Sequence, residues 1–222
     1  MNQILIGNKN KLDDSFIEKN LKNKKKFIVI LLISILLCLI LIIYLFYKHY
    51  TINQNSNFSQ KLTDNFEISK LYIDSSNNYK TSITSTSSTN NEIFIIGIIE
   101  IKSLNINYPI LSTYTDDYST IAPCKIAGPM PNQIGNLCIA AHNYNNSTFF
   151  SNISNLSFGE IITIYDVDGN SLDYEVIENS EIDFDNLDCL SQDTNNKKLL
   201  TLITCTNINN TTRYMIKAKE KE

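Results

Sequence analysis

The feature that most constrains this chain is an unbroken apolar stretch at residues 27–47, FIVILLISILLCLILIIYLFY. These twenty-one residues include no charged residue, no Pro and no Gly. A helix rises about 1.5 Å per residue, so this length matches a hydrocarbon core of roughly 30 Å. A helix in a soluble core would carry polar residues at helical spacing, whereas this stretch is apolar on every side. The sequence therefore predicts one transmembrane helix.

The charge on either side of this stretch predicts its orientation. Residues 1–26 carry a balance of +4 and the whole chain carries −4, so the part after Tyr47 carries −8. Lys residues beside a span are retained in the cytoplasm. We therefore expect a cytoplasmic basic tail at 1–26, a single-pass signal anchor in the plasma membrane at 27–47, and an extracellular remainder. A cleaved signal peptide is the alternative, but no A-x-A-like site follows.

The composition divides the remainder into two parts. Residues 48–91 are rich in Asn, Ser and Thr and predict a flexible polar linker, in which Phe58, Leu62 and Phe66 have the spacing of a short amphipathic helix. From 92 to 222, short Ile-, Val- and Tyr-rich runs predict one all-β domain, closed as a barrel or packed as a sandwich. The predicted strands are 93–101, 106–112, 135–141, 160–166, 171–178, 198–205 and 213–219. This acidic part has no Lys/Arg stripe, which argues against nucleic acid as a partner.

Four of the five Cys follow the apolar stretch, at positions 124, 138, 189 and 205. In an extracellular domain they would allow two disulfides in three connectivities. A zinc site built from Cys138-x3-His142 and two further Cys lacks any C-x-x-C pair. We therefore expect no metal and no cofactor.

Two rare residue types lie near cysteine-bearing strands. His142 is the only His after His49, and Arg213 is the only Arg in the chain. The run GNLCIAAH ends at His142 and the run KLLTLITC ends at Cys205, while a hairpin with the connection TNINNTT would return Arg213 to the side of Cys205. A thiolate, an imidazole and a guanidinium in one place would fit acyl transfer, as nucleophile, proton carrier and oxyanion donor. Taken singly, each residue also has an ordinary structural role as a buried thiol, a polar strand end or a surface charge.

The motif TLITC at 201–205, with His142 upstream and Arg213 downstream, resembles the sortases, membrane-anchored cysteine transpeptidases of Gram-positive cell surfaces. The resemblance extends over about residues 93–219 and includes IGIIEIKSLNINYPIL, PMPNQIGNLCIAAHNY and RYMIKAK. It implies an all-β fold, a closed sortase-type β-barrel with short helices, preceded by one transmembrane helix. The domain at 92–222 would then be the catalytic one.

The resemblance also implies a role for each site residue. Cys205 would be the nucleophile, His142 the general acid/base, and Arg213 the group that holds substrate carbonyls and the oxyanion. The neighbouring strand residues expected to contact substrate are Ala141, Thr201 and Ile203. In the implied reaction, the enzyme cleaves the Thr–Gly bond of an LPXTG-like sorting signal on a surface protein. The acyl group then passes through a thioacyl-enzyme to an amine of a cell-wall precursor or pilin.

Details of the chain refine this interpretation. Ala141 stands where family members commonly have Gly. The segment 179–197 is short for the family's variable β6–β7 loop, and neither a C-terminal hydrophobic segment nor an Asp-Pro-aromatic lid motif is found. These features favour an A-like or D-like member over the pilus-polymerising class.

Two other functions stay open. A cell-wall hydrolase or L,D-transpeptidase would also use Cys, His and Arg, although its thiol usually follows the His more closely than the sixty-three residues seen here. The second is a non-enzymatic, membrane-anchored β-domain that binds a surface partner.

Overall fold

The computed structural model describes residues 3–75, 94–144, 146–206 and 211–222. Within the first range, side chains are described for residue 19 and for 21–65. The chain divides into two units, Met1–Thr51 and Ile52–Glu222.

The first element is one long helix, α1, at Gln3–Ser75. Every side chain of residues 27–47 is exposed, so the helix presents an apolar surface on all sides. In the part of the chain that the structure describes, it is the one helix long and apolar enough to cross a membrane. This helix suggests a single-pass membrane anchor.

The helix α1 continues through residues 48–75, where the sequence predicts a flexible linker. The structure differs there because no Gly or Pro lies between Gly7 and Gly97, and a helix that already exists propagates at little cost through residues that do not break it. Leu62 is buried and Phe58 is exposed, while the side chain of Phe66 lies outside the described residues. The rest of the predicted linker and the predicted domain start at 92 also lie outside them.

Eight strands in the described part of the C-terminal region form a closed barrel, which confirms the all-β prediction. Around the barrel they follow the order β1-β2-β3-β4-β7-β8-β6-β5. Their bounds are β1 Ile95–Ile101, β2 Ile106–Leu111, β3 Cys124–Ala127, β4 Gly135–Ala140, β5 Ile161–Asp166, β6 Ser171–Asp183, β7 Lys198–Cys205 and β8 Thr212–Glu220. Short helical turns lie at Asp116–Ser119 (α2), Lys102–Leu104, Ile153–Asn155 and Asp188–Leu190.

Strand β3 is absent from the sequence prediction. It has four residues, CKIA, between Pro123 and Gly128, which is too short for an alternating pattern to be recognised. Its place is nevertheless essential, because it pairs in parallel with β2 at Leu111 and in antiparallel fashion with β4, and so joins these two strands. The closure of the barrel depends on this short strand.

Strand β6 is longer than predicted. It pairs with β8 as far as Asp183 opposite Thr212, so the strand ends at 183 rather than at 178. The connection to β7 is therefore 184–197, shorter than the predicted 179–197. Cross-strand pairing overrides the acidic composition that suggested a loop here.

Most side chains in the barrel interior are aliphatic. The large aromatic side chains of Phe149, Phe150 and Tyr174 are also fully buried there. Burying one Leu or Ile side chain contributes about 1.5–3 kcal/mol. Successive side chains of a strand point to opposite faces, so the inward residues determine the outward ones. On β4 and β7 the buried core residues are Leu137, Ile139, Leu200 and Leu202. The residues that alternate with them, and so face outward, are Asn136, Cys138, Ala140, Thr201, Ile203 and Cys205.

The connection between β6 and β7 covers the first half of this outer face. The amide of Asn136 on β4 donates to the carbonyls of Cys189 at 2.9 Å and Ser191 at 3.1 Å. The side chain of Gln192 accepts from the backbone N–H of Asn136 at 3.1 Å and donates to its carbonyl at 2.9 Å. These bonds cluster at the start of β4, whereas Ala140, Ile203 and Cys205 at the ends of β4 and β7 line a cavity.

Candidate active site

A cavity of about 260 Å³ lies at the C-terminal ends of β4 and β7. The three predicted catalytic residues His142, Cys205 and Arg213 all line it, and each is half-buried. The other lining residues are Tyr114, Ser119, Ile126, Ala140, Ala141, Ile203 and Thr204. The structure therefore brings the sulfur, the imidazole and the guanidinium to one place.

The antiparallel pairing of β7 with β8 positions Arg213 opposite Cys205. The Cβ atoms of directly opposite residues lie about 5 Å apart, and their side chains share one face of the sheet. The guanidinium donates from Nη1 to the carbonyl of Thr212 at 2.8 Å. Residues 207–210 of the predicted hairpin connection lie outside the described residues.

The parallel pairing of β4 with β7 positions His142 beside Cys205. Ala140 is in register with Ile203, and the N–H of Ala141 continues the ladder by donating to the Ile203 carbonyl at 3.2 Å. His142 and Cys205 each follow this pair by two residues, so strand alternation turns both to the outer face. Two strand ends that lie far apart in sequence thus present an imidazole and a thiol side by side.

Two side-chain hydrogen bonds hold these strand ends together. The hydroxyl of Thr204 donates to the carbonyl of Ala141 at 2.7 Å, and the amide of Asn143 donates to the carbonyl of Cys205 at 3.0 Å. The residues before and after His142 are therefore both bonded to the end of β7. This restricts movement of the His142 backbone relative to Cys205.

The imidazole of His142 has defined neighbours. Its Nε2 lies 3.0 Å from the hydroxyl oxygen of Ser119, and its ring stacks on Tyr144 with centroids 4.9 Å apart and planes at 28°. Burial lowers the pKa of His142 below its ordinary value, and the negative charge of Asp116 partly offsets this effect. The neutral imidazole, which can accept a proton from a thiol, is thus favoured near neutral pH.

The sortase domain family model matches residues 99–221, which is more than half of the chain. The chain belongs to the sortase family. Membership of this family implies a cysteine transpeptidase. No curated protein matches the chain.

Solved sortase structures share the barrel. The sortase D5 transpeptidase of Clostridium perfringens is 25% identical, with 75% of this chain and 99% of that chain covered and a TM-score of 0.59. Sortase A of Corynebacterium diphtheriae is 21% identical, with 78% of this chain and 91% of that chain covered and a TM-score of 0.54. Sortase A of Listeria monocytogenes is 20% identical, with 58% of this chain and 88% of that chain covered and a TM-score of 0.53. The latter two matches support the sortase fold.

The thiols of this sortase differ in their surroundings. All five Cys lie among the described residues, and all are free. Burial raises the pKa of both Cys124 and Cys138 to about 12, and burial also raises the pKa of Cys189. A thiol must lose its proton to act as a nucleophile, so these three are unsuited to the chemistry. Cys205 is the thiol that lines the cavity.

The three residues predicted to contact substrate have different positions in the sortase barrel. Ile203 faces outward and lines the cavity. Ala141 borders the cavity, but its side chain belongs to the core and is 6% exposed. Thr201 is fully buried and outside the cavity lining, because the β6–β7 connection covers it and its hydroxyl donates to Oδ1 of Asn136 at 2.8 Å. The sequence carries no sign of this cover.

Ser119 is a site residue that sequence reasoning missed. It ends α2, whose start is capped by Thr115, since the Thr115 hydroxyl accepts from the N–H of Tyr118 at 3.0 Å. A Thr before two Asp residues is an N-terminal helix signal, so the short helix was within reach of the sequence. The contact between Ser119 and His142 could not be predicted from the sequence, because it joins segments that only the barrel brings together.

Proposed function

We propose that this sortase cleaves an LPXTG-like sorting signal of surface proteins and transfers the acyl group to an amine of a cell-wall precursor or pilin. The observation that carries this proposal is the meeting of Cys205, His142 and Arg213 at one open cavity. Their roles follow from their chemistry, with Cys205 as nucleophile, His142 as general acid/base and Arg213 as the oxyanion donor. The short β6–β7 connection supports an A-like or D-like member.

In the first half-reaction, the proton of the Cys205 thiol moves to His142, and the sulfur attacks the carbonyl carbon of the Thr residue. The guanidinium of Arg213 donates hydrogen bonds to the oxyanion that forms. The C–N bond to Gly then breaks, and His142 returns the proton to the leaving amine. The products are a thioester on Cys205 and a free amino terminus on the released peptide.

In the second half-reaction, the acceptor amine attacks the thioester carbon. His142 takes a proton from the attacking nitrogen, Arg213 again stabilises the oxyanion, and the C–S bond breaks. The new amide leaves and Cys205 regains its proton. Ile203 on β7 lines the cavity, so we place the peptide substrate against this side chain and the adjoining backbone of Ala141.

The long apolar helix supports the proposed localisation. Residues 1–26 would lie in the cytoplasm, 27–47 would cross the plasma membrane, and 48–91 would link the anchor to an extracellular catalytic domain at 92–222. A protease added to intact cells should then degrade the barrel but leave the basic tail. Protection of the barrel until the cells are permeabilised would contradict this orientation.

The reaction is tested with the full chain in detergent micelles, an LPXTG peptide and an amine acceptor. We expect a transpeptidation product and, by mass spectrometry, an acyl adduct on Cys205. Cys205→Ala should abolish both, whereas the control Cys189→Ala, which removes a buried thiol outside the cavity, should retain them. Turnover that survives Cys205→Ala would exclude the proposed mechanism, and no turnover of any peptide would favour a non-enzymatic binding domain.

A further inference from the structure

We infer that Ser119 is a positioning residue that sets the tautomer of His142. Its hydroxyl oxygen accepts a hydrogen bond from Nε2–H, which leaves Nδ1 as the nitrogen that gains and loses the catalytic proton. The catalytic part of this inference rests on the proposed function of His142 as general acid/base. The tautomer itself is a property of the resting protein.

The Ser119 hydroxyl has a single proton to donate. Its oxygen lies 2.8 Å from the carbonyl oxygen of Asp116, and 3.0 Å from Nε2 of His142. A carbonyl oxygen can only accept, so the hydroxyl proton points to Asp116. Toward His142 the oxygen therefore offers a lone pair, and Nε2 carries a hydrogen in the neutral imidazole as well as in the imidazolium.

Ser119 is held firmly enough to impose this choice. The residue is 2% exposed, and its backbone N–H donates to the carbonyl of Thr115 at 2.9 Å. On the face of the imidazole, the ring of Tyr144 stacks at 4.9 Å. The imidazole is thus held at its edge by the hydrogen bond to Ser119 and on its face by the ring of Tyr144.

This arrangement has a consequence for catalysis. Because Ser119 accepts from Nε2–H in both protonation states, the ring need not turn over when its charge changes. Proton uptake from Cys205 and proton delivery to the leaving amine both occur at Nδ1. The hydrogen bond is also stronger when the imidazole is charged, so Ser119 favours the imidazolium.

Burial and one charged neighbour act on the titration of His142, and four further side chains lie near its ring or line the same cavity. Asp116 on α2 favours the charged imidazole, whereas burial disfavours it. Tyr144 lies on the segment of His142 itself, and Tyr114, Cys205 and Arg213 share the cavity. A test therefore has to compare variants that change only the hydroxyl of Ser119.

The first test is nitrogen NMR of the full chain in micelles, with ¹⁵N-labelled histidine. The chain contains two His, so His49→Gln leaves the signals of His142 alone. Above the pKa of His142 we expect a protonated, pyrrole-type Nε2 and an unprotonated, pyridine-type Nδ1. A pyridine-type Nε2 would overturn the inference.

The second test is Ser119→Ala, with Thr120→Ala as the matched control. The Thr120 hydroxyl donates to the carbonyl of Asp117 at 2.7 Å, so it makes the same kind of local bond and lies outside the cavity. Ser119→Ala should lower the pKa of His142, measured by NMR, by about half a unit to one unit and reduce kcat roughly three- to tenfold with little change in KM. Thr120→Ala should change neither value.

Equal pKa values and equal tautomer populations in Ser119→Ala and the unaltered chain would overturn the inference. The NMR readings do not require turnover. A chain that shows the expected tautomer but no transpeptidation would refute the proposed function and leave the assignment of Nε2 intact.

Discussion

The hydrogen bond from Thr204 to Ala141 provides a sharp test of how this site is held together. The hydroxyl donates to the Ala141 carbonyl at 2.7 Å, and Thr204 is 2% exposed. Thr204→Val keeps the branched shape of the side chain but removes the donor. The substitution therefore probes the hydrogen bond between the two strand ends with little change in packing.

The size of the effect follows from burial. A buried carbonyl that loses its donor costs about 1–3 kcal/mol of the free energy of unfolding. For a domain of this size each kcal/mol corresponds to about 2–4 °C, so Tm should fall by roughly 2 to 12 °C. A misplacement of about 1 Å between reacting groups costs as much as ~10²-fold in rate, and we therefore expect kcat to fall at least tenfold.

The assay combines unfolding and kinetics on the full chain in micelles. The chain has twelve Tyr and no Trp, so near-ultraviolet circular dichroism of Tyr reports the packing of the barrel. The control is Thr163→Val on β5, whose hydroxyl also donates at 2.7 Å, to Asp173, but at the exposed surface. It should leave kcat unchanged and alter Tm only slightly.

If Thr204→Val retains both the Tm and the kcat of the unaltered chain, this hydrogen bond neither stabilises the barrel nor positions His142. A drop in Tm with an unchanged kcat would show that the bond stabilises the barrel but does not position His142. Equal losses of Tm in Thr204→Val and Thr163→Val would contradict the argument from burial.

Three further predictions concern the groups at the site. Arg213→Lys should lower kcat at least tenfold without unfolding the barrel, since loss of one oxyanion donor costs about 10²–10³ in favourable cases, and unchanged kinetics would contradict the donor role. At about pH 8, iodoacetamide should label Cys205 in the native barrel. Burial raises the pKa of Cys124 and Cys138 to about 12, so these two thiols should react only after unfolding. Mass spectrometry identifies which cysteines carry the label. Burial lowers the pKa of His142 in the folded chain below its unfolded value of 6.5, so the unfolded chain binds this proton first as the pH falls. The contribution of the neutral imidazole to the free energy of unfolding is therefore complete above pH 6.5 and is lost as the pH falls through the folded pKa. Between about pH 7.5 and about pH 5.5, Tm should therefore fall further for the unaltered chain than for His142→Gln, and equal falls would count against a lowered pKa.

The sequence by itself was sufficient to predict a structural feature wherever the residues of one short stretch determine that feature. The apolar residues 27–47 predict a membrane span because length and composition alone decide that property. The position of Arg213 opposite Cys205 was also predictable, because one hairpin joins the two strands and its register depends on local pairing. The seven short Ile-, Val- and Tyr-rich runs that indicate an all-β domain belong to the same category.

Only the tertiary structure decided how distant segments combine at the site. The parallel register of β4 and β7, the four-residue strand β3 that closes the barrel, and the cover over Thr201 depend on pairing and packing among elements far apart in the chain. The bond between Ser119 and His142 likewise joins two segments that have no local relation. Local periodicity determines which face of a strand is buried, but the energy that selects a neighbour comes from closing the whole barrel around a single core, and no single stretch of sequence contains that information.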